Sequence, residues 1–158
     1  MSQQVADATD KQVPTHSSSP TKRSTYIYAA VAVISLLGLA DATYLTIEHV
    51  TGQSVRCTII AGCSEVLSSQ YAVVGGMPLA MIGAGAYFTV FALGTLAAFG
   101  YKITGALLNL LVAAMVVVSL WLVYLQAFVI RSFCQYCLFS AAITLALATL
   151  LLIRWRKP

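Results

Sequence analysis

Ser132-Phe133-Cys134-Gln135-Tyr136-Cys137 heads the last long apolar run of the chain, and the rest reads outward from it. Ser132 followed three residues later by Gln135 reads as a capping box, which predicts a helix start with Cys134 in its first turn and Cys137 one turn further in. Side chains at i and i+3 of a helix are neighbours at roughly 5–6 Å, within reach of a disulfide that opens and closes with little backbone movement. Cys134 is the expected thiolate. Unpaired N–H groups, the positive end of the helix dipole and the adjacent Arg131 all favour negative charge there.

The surrounding chain has 158 residues, 59% hydrophobic and 9% charged, with a mean hydropathy of +0.86. That is far too apolar for a soluble domain of this size and indicates an integral membrane protein. A net charge of +4 and a pI near 9.0 would suit a nucleic-acid binder, but the basic residues are spread around the apolar segments. Flanks of spanning helices explain them better. The cysteines are Cys57, Cys63, Cys134 and Cys137; an even count permits a disulfide framework, and sequence alone does not choose its connectivity.

Residues 1–24 are Ser, Thr, Gln, Pro and charge with almost nothing to bury, which predicts a disordered tail, His16 included. Residues 25–156 form the membrane domain, an all-α bundle of four transmembrane helices at about 26–49, 78–99, 106–130 and 133–153. The first apolar segment has an alternative reading as a signal peptide, with Lys22-Arg23 before it and Ala40-Asp41-Ala42 as a small-x-small site. The tail before it is long and partly acidic, and the apolar pattern continues through Tyr44, Leu45 and Ile47, which favours a span.

Asp41 falls inside the first span, where an ionisable residue is either functional or an interfacial acid finding a polar partner. Glu48 and His49 read as interfacial. The loop 51–77 carries Cys57 and Cys63, and Val66, Leu67 and Tyr71 fall at helical spacing within Ser64–Tyr71, predicting a short helix lying on the membrane surface. Gly75-Gly76 turn the chain, and Pro78 suits the first position of the next helix. Gly83, Gly85 and Ala86 offer a small-residue stripe for close packing; Asn109, Ser119 and Gln126 offer interhelical hydrogen bonds; Arg154-Trp155-Arg156-Lys157 form an interfacial anchor.

A four-span topology puts Lys11, Lys22, Arg23, Lys102, Arg154, Arg156 and Lys157 on one side and only Arg56 and Arg131 on the other. The positive-inside rule then places both termini in the cytoplasm and every cysteine on the opposite, disulfide-permissive side. Two thiol pairs on one face, one in a loop and one at a helix head, suit relay by thiol–disulfide exchange. The loop pair can reach a soluble protein, and the helix pair borders the lipid phase where a quinone resides. The residues also admit two inert staples, a four-cysteine zinc site, a transporter using Asp41 and Glu48, and a structural scaffold. A capped CxxC at a membrane boundary favours a labile bond over a staple, and the loose C-x5-C spacing with no nearby His disfavours zinc.

The chain resembles the vitamin K epoxide reductase family, specifically its short bacterial members. The resemblance runs from about Tyr26 to Trp155 and rests on Tyr44-Leu45-Thr46, Cys57, the run Cys63–Ala72, Gly76-Met77-Pro78, Gly83, Tyr87 and Cys134-Gln135-Tyr136-Cys137. It differs from DsbB, whose CxxC lies in the first outer loop. The resemblance implies a bundle around a quinone, ubiquinone or menaquinone, roofed by the loop and its short helix. It further implies that Cys134 and Cys137 form the active centre with Cys137 facing the quinone, that Cys63 exchanges with Cys134, and that Cys57 receives the thiol of a DsbA-like, thioredoxin-fold partner acting in trans. Cys137, Ser140, Ala141, Leu79 and Tyr87 are the quinone contacts it implies. The net reaction would make disulfides in exported proteins at a bacterial inner membrane. Vertebrate members carry a tyrosine where this chain has Ala141 and an asparagine near Leu79-Ala80, so the donors to the quinone carbonyls are unassigned. Some bacterial members carry a fused thioredoxin domain after the fourth helix; ending at Pro158, this chain is expected to use a separate partner.

Overall fold

The structure, a computed structural model, describes residues 22–52 and 62–156. Helix α1 is Lys22–Thr51; a short α2, Cys63–Leu67, leads through a 3-10 turn, Gln70–Ala72, into a two-residue antiparallel ladder of β1, Val73–Val74, with β2, Met77–Pro78. Three long helices follow: α3 (Leu79–Ala98), α4 (Lys102–Tyr124, widening into a π turn at Leu125–Ile130) and α5 (Gln135–Arg156). Helix α1 packs on α3 and α5, and α4 closes the ring by packing on the same two.

Segments Ser24–Thr51, Leu79–Ala98, Ile103–Ile130 and Gln135–Trp155 are each long and apolar enough to cross a bilayer. Their outer faces carry bare apolar side chains, such as Leu110, Val117 and Phe128, each about two-thirds exposed. Such a surface suits lipid and would not stay dispersed in water. Hydroxyls inside the spans are returned to their own helices: Thr46 donates to the Ala42 carbonyl at 2.7 Å, Thr95 to Phe91 at 2.8 Å and Ser35 to Ala32 at 2.8 Å. The chain is a multi-pass membrane protein built as a four-helix bundle.

A larger buried cluster, including Tyr28, Val31, Val90, Leu108, Val112, Leu147 and Leu151, holds the bundle together away from the cysteines. Near its end the Arg154 guanidinium lies 4.6 Å from the Tyr28 ring centroid. A smaller cluster of Leu45, Cys63, Val66 and Cys134 sits at the opposite end. Because the spans alternate in direction, Lys22 and Arg156 share one end of the bundle, and Cys63, Cys134 and Cys137 share the other.

Several local expectations change. The helix expected over Ser64–Tyr71 stops at Leu67, because the Ser68 and Ser69 hydroxyls donate to the carbonyls of Glu65 (3.3 Å) and Val66 (2.7 Å) and bend the chain away. Pro78 precedes α3 with an extended ψ of 131° and occupies the ladder opposite Val73, so the helix begins at Leu79. The small-residue stripe is only partly used: a Cβ on Gly83 would meet Ala42 at 3.9 Å, whereas one on Gly85 would meet open space. The close approach comes from Gly38, where a Cβ would stand 2.4 Å from the Tyr87 ring.

Candidate functional site: a thiol pair beside a membrane cavity

The capping box does not form. Helix α5 starts at Gln135 with Cys134 immediately before it, and the Cys134 carbonyl accepts the first helical hydrogen bond, from Leu138 N at 3.0 Å. Ser132 is drawn off by tertiary structure: its hydroxyl donates to Glu65 Oε2, tying α2 to the segment ahead of the CxxC. The Cys134 N–H instead donates to Gln126 Oε1 at 3.0 Å. Gln126 is 2% exposed and sits in the π turn, where the widened backbone brings it and Leu125 inside together before Arg131 ends the turn at φ 55°. Expected as interhelical glue, Gln126 holds the backbone of the first cysteine of the CxxC.

Cys134 and Cys137 are free thiols, while Cys63 is in a disulfide whose other sulfur lies outside the described residues, as does Cys57. Cys63 and Cys134 are 1% and 0% exposed and pack in one cluster, with Cys137 partly buried against it. Gly62 permits this. Its φ of 146° is open to glycine, and a Cβ there would stand 2.9 Å from the Phe133 carbonyl oxygen, so any larger residue would hold the loop off the CxxC. The ring of Tyr136, between the two cysteines, lies 5.4 Å from that of Tyr44 on α1.

The Cys134 thiol is pulled down to about 7. The largest cause is a hydrogen bond donated by the Cys137 thiol, followed in the same direction by N–H groups at Cys137 and Tyr136; burial and the charge of Asp41 act against them. Arg131, expected to contribute, is exposed, and the stabilisation comes from the helix start and the partner thiol. The two sulfurs therefore share a proton-bearing contact, the arrangement from which a disulfide forms without rearrangement. A disulfide-bonded Cys63 has no thiolate to offer a metal, and among the described residues no three His, Cys, Asp or Glu side chains cluster.

Cys137 lines a cavity of about 330 Å³ walled by all four long helices, with Val66 and Leu67 of α2 and Tyr71 of the 3-10 turn also on its lining. Leu79, Tyr87, Ser140 and Ala141 lie on its wall, as do Asp41, His49 and Gln126. Tyr87 is fixed there. Packed on Gly38 and 2% exposed, it donates to the Ser140 carbonyl at 2.9 Å, with Ser140 Oγ at 2.8 Å and Thr144 Oγ1 at 3.0 Å. The lining is predominantly aliphatic, and the volume falls in the range of small-molecule sites, which fits an apolar ring with few polar anchors. Gly62, Glu65 and Gly38 were not legible as site residues, since each acts through a segment distant in sequence, while Gln126 reaches Cys134 only because the π turn carries it inside.

Residues 29–152 match the vitamin K epoxide reductase family. The chain is also similar to the thiol-disulfide oxidoreductase LTO1 of Arabidopsis thaliana, 37% identical over 119 residues, which cover 69% of this chain and 31% of the plant protein. It thus spans about a third of that relative's length. With a free CxxC pair at the head of its last span and a disulfide-bonded cysteine packed against it, the chain belongs to the vitamin K epoxide reductase family.

Proposed function

We propose that this protein is a thiol oxidoreductase that passes electrons from a thioredoxin-fold partner to a quinone in the membrane, so that disulfides form in exported proteins. One observation carries the reading: Cys63, Cys134 and Cys137 follow one another from a disulfide, through a thiol of lowered pKa, to the wall of the cavity. A partner thiolate attacks Cys57 and frees Cys63; the partner's second thiolate then displaces Cys57, so that the partner leaves oxidised and both loop thiols are free. The Cys63 thiolate then attacks Cys134 of an oxidised CxxC and releases Cys137; Cys57 resolves the mixed disulfide, leaving the loop pair oxidised and the helix pair reduced. Bound in the cavity, a quinone supplies an acceptor for two electrons and two protons. Leu79, Tyr87 and Ala141 shape the wall, Ser140 and Gln126 are its polar positions near the thiols, and Cys137 presents the reacting sulfur.

Thiol–disulfide oxidoreduction, the activity that the Arabidopsis thaliana relative is named for, agrees with this chemistry. The end of the bundle with the cysteines carries few basic residues, which supports a bacterial inner membrane with that end facing the periplasm and both termini cytoplasmic. The test follows the absorbance of added ubiquinone or menaquinone with purified protein and dithiothreitol, for wild type and Cys137→Ala. Quinone reduction by the wild type alone is expected; equal traces would overturn the proposal. Cys63→Ala should spare part of the dithiothreitol-driven turnover and abolish turnover with the protein partner.

A further inference from the structure

Among the described residues the cavity wall carries one carboxyl group, Asp41, about two-thirds of the way along α1. Its Oδ2 is the one buried side-chain oxygen or nitrogen without a hydrogen-bond partner among the described residues. An unpartnered carboxylate at this depth is costly, and a fold keeps one where a proton must come and go. Asp41 is also close enough for its charge to act on both Cys134 and Cys137. Among the described residues, the other titratable groups on the wall are His49 from α1, Tyr71 from the 3-10 turn, Tyr87 from α3 and Cys137 from α5, while α4 supplies none. The Tyr87 hydroxyl is engaged by Ser140 and Thr144. His49 stands two turns nearer the cysteine end of α1.

We propose that Asp41 is the proton carrier of the thiol pair: it accepts the proton of Cys137 as the Cys134–Cys137 disulfide forms and passes it to the electron acceptor in the cavity. This rests on the quinone reading above. Oxidation of the dithiol breaks two S–H bonds, forms one S–S bond and releases two electrons and two protons; a quinone takes up both pairs in two new O–H bonds. Cys134, the more acidic thiol, loses its proton before the step. The proton of Cys137 leaves during it, forming an O–H bond at Asp41 Oδ2 that breaks again as the proton is handed on. The second proton enters from the aqueous end past His49, and Asp41 ends each cycle as it began.

The test compares wild type, Asp41→Asn and Asp41→Glu as full-length protein in detergent, by maleimide alkylation of Cys134 against pH and by quinone turnover with dithiothreitol. Removing the negative charge should move Cys134 alkylation to lower pH, since that charge opposes its thiolate. Turnover of Asp41→Asn should nevertheless fall about a hundredfold, in kcat more than in KM. Formate should restore part of it, and Asp41→Glu should keep most of the wild-type rate. An Asp41→Asn protein that turns over as fast as wild type, or faster in step with its more reactive thiol, overturns the proposal by making Asp41 an electrostatic brake. Equal loss in Asp41→Glu without rescue by formate overturns it in favour of a packing role. A wild type that does not reduce quinone sinks the function reading instead, a result separate from all of these.

Discussion

Replacing Gln126 by leucine removes the acceptor of the Cys134 N–H, a group in a residue 0% exposed. No water can substitute there, so the cost is that of an unsatisfied buried donor, about 1–3 kcal/mol. For a chain of this length each kcal/mol shifts the melting midpoint by roughly 2–4 °C, giving an expected drop of about 2–12 °C. Gln126→Glu keeps an acceptor in place and should melt near wild type, but its charge beside the thiolate should move Cys134 alkylation to higher pH. Both are measured in detergent, by thermal unfolding and by maleimide labelling against pH, with Leu110→Ala on the lipid face as the reference. Gln126→Leu melting with the reference variant, together with unchanged labelling in Gln126→Glu, would refute the assignment of Gln126 as the brace of the CxxC.

Cys137→Ala removes the hydrogen bond that most favours the Cys134 thiolate, so half-maximal alkylation of Cys134 should rise from about 7 toward the ordinary thiol range, opposite in sign to Asp41→Asn; an unchanged pH profile contradicts this. Gly62→Ala forces a side chain into φ 146° and against the Phe133 carbonyl, a strain of roughly 1–3 kcal/mol. Its expected signature is faster alkylation of Cys134 at fixed pH as the loop lifts away, and a rate equal to wild type counts against it. Gly38→Ala should lower the melting midpoint by an amount equivalent to about 1–3 kcal/mol, because its Cβ meets the Tyr87 ring, while Gly85→Ala, facing open space, should not. Equal melting of those two variants would show that the Gly38–Tyr87 contact does not set the bundle's spacing.

The four spans were readable because lipid imposes a long-wavelength signal: about twenty apolar residues, repeated, with basic residues at the ends. The thiol pair was readable at Cys134 and Cys137 because two cysteines three residues apart at a helix head bring their sulfurs together. What failed were short-range rules overridden by distant partners. Ser132 and Gln135 have the residue types of a capping box, yet Ser132 bonds Glu65, and Cys134 takes the cap position with its N–H held by Gln126. A helix was expected to run through Ser69 to Tyr71, but two serine hydroxyls compete for its carbonyls.

Sequence by itself determined that this chain crosses a membrane, how many times, and that a CxxC stands at the start of the last helix, since these depend on composition and on spacing within single segments. Only the tertiary structure decided that the helix pair is poised against Cys63, that Gln126 and Gly62 hold it there, and that Asp41 shares a cavity with Cys137. Apart from the Gln126–Cys134 bond, which spans eight positions, those relations join residues tens of positions apart, and they exist only where packing brings α1, α2, the π turn and α5 to one end of the bundle.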